Sequence, residues 1–310
     1  MNRGRALALA AVATALFGGS SCGGGHDRSR AGTLGAQHLD GDTPDAGREL
    51  AFSLAEVRGD VQVGTPSGFQ PVAPQIKSLA LGGGARIRTG RGASAVLRAP
   101  DGTEIALADG VEISLEEISA TVARFALERG KVRAAATPGG RPVAVDSSGA
   151  HAEAQGARFT IYAGPRGLVA VAGETGQVRI RARDREVAVG AGQQSIVPPG
   201  GVPSDPVAVA DDVFLRVSWP TETLKRSPET LVRGRARPGE RVLVNGVEAE
   251  VRMDGAFETT IRLQEGKNPP LKVEAETLGG RRRTLRGPAV EVKSNLKMQV
   301  QPVQWGEAPR

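Results

Sequence analysis

Between Leu50 and Pro199 the chain runs in short stretches of alternating apolar and polar residues, each closed by a glycine-containing turn. A period of two puts one face of an extended strand in a core and the other in water, whereas an amphipathic helix needs a period of 3.6. The stretches are VRGDVQV from Val57, ARIRTG from Ala85, ASAVLRAPDGTEIAL from Ala93, VEISLEEI from Val111, TVARFALERGKVRAA from Thr121, RPVAVDSSG from Arg141, AHAEAQGARFTIYAG from Ala150, GLVAVAGETGQVRIRA from Gly167 and REVAVGAGQQSIV from Arg185. Pro100-Asp101-Gly102 marks a hairpin. With 42 glycines and 20 prolines in 310 residues, turn formers well exceed the usual roughly 12%. Strands recurring every 8–12 residues or so predict an all-β fold, sandwich-like or solenoid-like. Aromatics are only 3%, so the core is built from Val, Leu, Ile and Ala. The chain also lacks the stacking platforms that bind single-stranded nucleic acid.

A Pro/Gly-rich linker over 201–212 precedes a second β pattern over 213–293. It holds about seven short strands, an Asn-Gly hairpin at Val244-Asn245-Gly246-Val247 and a turn at Asp254-Gly255, which suits an Ig-like β-sandwich. Trp219 reads either as a packing residue or as an exposed sugar-stacking one. Residues 294–310 carry little pattern and are expected to fray.

The N-terminus is organised differently. Arg3 and Arg5 precede twelve apolar residues, Ala6 to Phe17, too few to span a bilayer but suited to a secretory signal. Small residues then lead to Cys22, the one cysteine in the chain. This resembles a bacterial lipoprotein signal over 1–21, with Gly19 where Leu is usual; the plainer reading is an ordinary cleaved signal that contains a cysteine. The resemblance implies lipidation of Cys22, a membrane anchor through that lipid and, with Gly23 following, an outer-membrane location facing the periplasm. Residues 22–49 have almost no apolar content and are expected to form a disordered tether. Its five acids (Asp27, Asp40, Asp42, Asp45, Glu49) face three arginines (Arg28, Arg30, Arg48). Two of the six net positive charges belong to the signal. The one dense basic cluster is Arg281-Arg282-Arg283 with Arg286, after Gly279-Gly280. It reads as a solvated hairpin turn or as a contact for anionic polymers.

Over about 50–200 the order Gly59-Asp60-Val61, Ile87-Arg88-Thr89-Gly90, Asp101-Gly102-Thr103, Gly130-Lys131-Val132-Arg133, Gly156-Ala157-Arg158-Phe159, Gly173…Gly176-Gln177-Val178 and Ala191-Gly192-Gln193 resembles the FecR domain. Ala157 stands where Thr is usual. The best-known members of that family are iron-uptake signal transducers, with a cytoplasmic anti-sigma region, a membrane helix and a periplasmic FecR domain that hears an outer-membrane receptor. This sequence shows neither the cytoplasmic region nor the helix, so it is not expected to touch a sigma factor itself. From Val232 to Asn268 the chain is similar to bacterial Ig-like modules such as the accessory domain of glucodextranase, which implies a spacer without catalytic residues.

Residues that could carry chemistry are sparse. His26 and His38 fall in the tether, leaving His151 as the single histidine of the folded part, too few for a His-based metal site or a convincing triad. Glu116-Glu117 read as solvated carboxylates, and Gly82-Gly83-Gly84 lack the Lys-Ser/Thr of a phosphate loop. The sequence therefore predicts a non-enzymatic, cofactor-free envelope lipoprotein. It would act as a binding or scaffold module toward an envelope protein or cell-wall polymer, and not toward nucleic acid. The alternatives are an envelope sensor in a sigma-factor pathway acting through another membrane protein, and a carbohydrate- or peptidoglycan-binding accessory protein.

Overall fold

The computed structural model describes residues 51–65, 68–73, 76, 78–221, 224, 225 and 227–293. The signal, the whole of the tether with Cys22, His26 and His38, and the tail after Lys293 lie outside them. The described residues are all-β.

The chain weaves between two sheets. β1 (Phe52–Arg58) lies in the first, β2 (Val61–Thr65) and β3 (Gly68–Pro71) in the second, β4 (Leu79–Leu81) in the first and β5 (Arg86–Thr89) in the second. The run VRGDVQV, expected as one strand, is thus two that do not pair with each other. Gly59, at φ 72°, turns the corner between the layers, and a Cβ there would lie 3.0 Å from Ala93. The hairpin β6 (Ser94–Arg98) and β7 (Glu104–Leu107), closed as expected by Pro100-Asp101-Gly102, joins the first sheet, and β8 (Glu112–Ile118) the second.

β9 (Ala123–Ala135) belongs to both. Its N-terminal half pairs with β8 and, in parallel, with β10 (Val143–Ser147), which forms a hairpin with β11 (Ala150–Ala154). Its C-terminal half pairs with β7 and with β12 (Arg158–Ala163). The crossing point is Gly130, at φ 93°, where a Cβ would sit 2.8 Å from Val111 Cα. Only glycine tolerates both the left-handed backbone and the close approach. β13 (Val169–Thr175), β14 (Gln177–Ala182), β15 (Arg185–Gly190), β16 (Gln193–Val197) and β17 (Val207–Ala208) continue the alternation. The first sheet runs β4-β1-β6-β7-β9-β12-β13-β16-β17 and the second β3-β2-β5-β8-β9-β10-β11-β14-β15. Between them lies a core that includes Phe52, Leu54, Ile87, Leu97, Ile105, Phe125, Phe159, Ile161 and Ile180. Phe52 and Phe125 meet edge to face at 5.2 Å.

Three small sheets enclose a second core. They are built from β18 (Leu215–Ser218), β19 (Leu224–Lys225), β20 (Glu229–Ala236), β21 (Arg241–Val244), β22 (Val247–Ala249), β23 (Ala256–Arg262), β24 (Gly266–Lys267), β25 (Lys272–Glu276), β26 (Arg282–Arg286) and β27 (Glu291–Val292). The orders are β18-β20-β23, β19-β27-β24 and β22-β21-β25-β26. About seven strands were expected; the surplus comes from two-residue strands too short to show periodicity. Asn245 and Gly246, both at positive φ, close the expected β21–β22 hairpin. Trp219 packs on this core, with Gly287 against its ring, where a Cβ would be 2.2 Å away. Packing thus accounts for Trp219.

Candidate functional site

Strands β12 and β13 break the alternation rule. Val169 and Val171 face the sandwich core, yet Ala170 and Ala172 on the other face are buried too. A sheet buried on both faces must have a second layer over it. Here that layer comes from the C-terminal strands: Leu278, in the β25–β26 turn, packs with Tyr162, Leu168, Ala170, Ala172 and Ile196. Register sets Tyr162, Ala170 and Ile196 side by side across β12, β13 and β16. The two alanines are small enough for the backbone at Gly239 to come close, its ideal Cβ lying 3.3 Å from Ala170.

Charged groups ring this apolar contact. Arg241 at the start of β21 is only 5% exposed. Its Nη1 donates to Asp109 Oδ1 (2.9 Å) and its Nε faces Glu248 Oε2 at 3.4 Å. The Tyr162 hydroxyl donates to the other Glu248 oxygen (2.6 Å). Glu276 is held between Lys131, from the Gly130-Lys131-Val132-Arg133 segment, and Arg282 (3.3 Å). Arg166 pairs with Glu250 (3.0 Å), and Arg91 Nη2 donates to the Gly246 carbonyl (3.0 Å).

Protonation follows from these contacts. Burial pushes the Asp109 carboxyl up, but the hydrogen bond and charge of Arg241 outweigh it and hold the group below the usual carboxylate range. Burial, then Glu248, drives the Tyr162 hydroxyl well above its ordinary value, so it keeps the proton that it donates to Glu248. Glu240, beside Gly239, behaves oppositely. Burial lifts its carboxyl against the hydrogen bond from the Arg237 N–H (3.1 Å), and its Oε1 has no hydrogen-bond partner.

Two cavities flank the β25–β26 turn. One, of about 300 Å³, is lined by Arg91, Asp109, Arg241, Lys272, Glu274 and Arg282 among others. The other, of about 560 Å³, lies over Lys131, Arg133, Thr160 and Glu174. In the smaller one Arg241 holds Asp109, and Lys272 holds Glu274 (2.8 Å). The arrangement fixes geometry and presents charge.

The residues singled out from sequence lie elsewhere. His151 is half-buried on the outer face of the second sheet, its Nδ1 2.7 Å from Asp146 Oδ1 and its Nε2 3.6 Å from Glu153. Carboxylates flank both ring nitrogens. Glu116 and Glu117 are exposed on β8, and Gly82 to Gly84 lead into β5. Of the basic cluster, Arg282, Arg283 and Arg286 are on β26, so only Arg281 precedes the strand. Among the described residues no cluster of His, Cys, Asp and Glu could hold a metal ion, and no helix is long and apolar enough to cross a membrane. Sequence reading missed Asp109, Tyr162, Arg241 and Glu248. The one signal for them was the unbroken apolar run LVAVAG from Leu168, which needs cover on both faces.

A match with known proteins falls on the sandwich. Residues 85–193 match the FecR protein family model. The matched segment runs from Ala85, ahead of β5, to the first residue of β16. It contains the Gly130 crossing, the buried Thr89 whose hydroxyl donates to the Ala108 carbonyl (2.6 Å), and Lys131 of the charged ring. Residues 50–84 fall outside the match, although β1 to β4 complete the same two sheets. No curated protein matches significantly. Two crystal structures of a protein from Parabacteroides distasonis ATCC 8503, described as a "putative anti-sigma factor", are similar at 23% and 22% identity, each with a TM-score of 0.36. Each alignment covers 40% of this chain, which spans 59% of the length of either structure.

Proposed function

We propose that this protein is a non-catalytic envelope sensor that feeds a sigma-factor pathway through another membrane protein. The observation that carries the reading is the FecR match over 85–193, the segment whose resemblance implies envelope signalling. The ring of ion pairs supports it. A module that relays a partner's binding must keep its surfaces in fixed relation, and the Arg241, Glu276 and Glu250 pairs tie the FecR segment to the strands after it.

In this reading the C-terminal strands are an Ig-like module and Cys22 carries the lipid that holds the chain at the outer membrane. The test has two arms. Deleting the gene should change transcription of a defined regulon, and an unchanged transcriptome would sink the signalling role. Separately, Cys22→Ser should move the protein from the membrane pellet to the soluble fraction; a wild-type protein already soluble refutes the anchor.

A further inference from the structure

Strand β26 is an open edge. It pairs on one side with β25, over five residues without a bulge, and among the described residues no strand pairs with its other side. The turn bonds Thr277 N–H to Arg281 O and Gly287 N–H to Leu271 O fix which groups face inward. Arg283 and Leu285 therefore bond to β25, while the N–H and C=O groups of Arg282, Thr284 and Arg286 point outward. All three of these residues are exposed. Natural edges are usually shortened, bulged or interrupted by proline. This one has none of those devices and instead carries arginine.

The four arginines are not equally engaged. Arg282 faces Glu276 (3.3 Å) and Arg283 Nη1 donates to the Val213 carbonyl (3.3 Å). The guanidinium groups of Arg281 and Arg286 have no partner among the described residues. Like charges set against each other would repel a second copy of the same edge, whereas an acidic strand would be drawn to it. By contrast β15, at the edge of the second sheet, begins with Arg185-Glu186 and so offers no single sign of charge.

We propose that β26 is a docking edge for an extended acidic segment of a partner protein, which adds as a strand antiparallel or parallel to Arg282–Arg286. Backbone hydrogen bonds from the outward groups would supply the pairing, and Arg281 and Arg286 the choice of an acidic sequence. A lipid surface would meet the same arginines but has no backbone to satisfy Thr284. The proposal deepens the partner-binding reading above by naming the partner's chemistry, and it rests on that reading only for what the docking accomplishes.

Full-length protein is titrated into a short labelled peptide of alternating Glu and Val, with a Lys/Val peptide and phosphatidylglycerol vesicles as separate probes. The Glu/Val peptide should bind, the Lys/Val peptide should not, and amide exchange at Arg282, Thr284 and Arg286 should slow on saturation. Arg281→Gln with Arg286→Gln should weaken binding about tenfold. Thr284→Pro, which removes only an outward N–H, should weaken it at unchanged charge, provided circular dichroism shows the fold retained. The exchange measurement decides the matter if that variant does not fold. No binding of the Glu/Val peptide, binding without slowed exchange, or vesicles that bind and displace the peptide would each overturn the proposal. An unchanged transcriptome in the deletion strain would not, so the two readings fail separately.

Discussion

The Asp109–Arg241 pair allows a quantitative test of how the two-sheet sandwich is held to the strands that follow it. Arg241 is buried, and its two carboxylate partners come from different parts of the chain, Asp109 from the β7–β8 turn and Glu248 from β22. Arg241→Met keeps much of the side-chain volume but leaves Asp109 without its cation. Breaking a buried pair from one side costs about 3–5 kcal/mol, and the partial exposure of Asp109 sets the expectation at about 3. Asp109→Asn keeps a hydrogen-bond acceptor for Arg241 and should cost about 1.5 kcal/mol. The double variant removes the stranded charge as well, so its cost should be about 2 kcal/mol below the sum of the singles. Urea unfolding followed by circular dichroism at neutral pH measures all four corners of this cycle, with a constant slope confirming that compactness is unchanged. Additivity within about 0.4 kcal/mol would refute the claim that the two groups hold each other across the contact.

Acid should weaken the protein through Asp109, Glu112 and Glu174, all held below the usual carboxylate range because arginine contacts outweigh their burial. Their stabilisation is complete above about pH 5 and is lost as pH falls through the folded-state values. Glu240 works in the other direction: its raised folded value means that ionisation costs stability as pH rises through and above the ordinary range. Glu240→Gln should therefore be more stable than wild type at neutral pH and lose that advantage below about pH 4; paired pH–stability curves that stay parallel would contradict this. Gly130→Ala should cost several times the ~1 kcal/mol of an ordinary left-handed alanine, because its Cβ would press on the Val111 backbone. A thermal midpoint within about 2 °C of wild type would show that the crossing tolerates a side chain.

Local features were legible in the sequence and distant ones were not. Pro100-Asp101-Gly102 and Asn245-Gly246 announce their hairpins because turn chemistry is contained in two or three residues, and the structure has both. Gly130 stands inside the stretch TVARFALERGKVRAA, and nothing there marks it as a crossing between sheets, since periodicity reports faces and not layers. At Gly59 the same blindness merged β1 and β2 into one strand. Asp109 and Arg241 stand 132 positions apart, and each sits in an ordinary charged neighbourhood, so nothing local marks either as a partner. Gly279-Gly280 suggest that the Arg282 and Arg283 that follow are turn residues; the turn ends sooner, and the cluster becomes an edge.

Because β9 is a member of both sheets, the two layers share one register. A strand that slips by one residue exchanges its inner and outer faces. In most sandwiches such an error can stay within one sheet. Here a slip of β9 against β8 would carry through Gly130 to its pairing with β7 and β12, putting Arg124 and Lys131 where Phe125 and Val132 belong. The wrong alignment in either layer is therefore penalised by both, and one thirteen-residue strand proofreads the assembly of the whole sandwich.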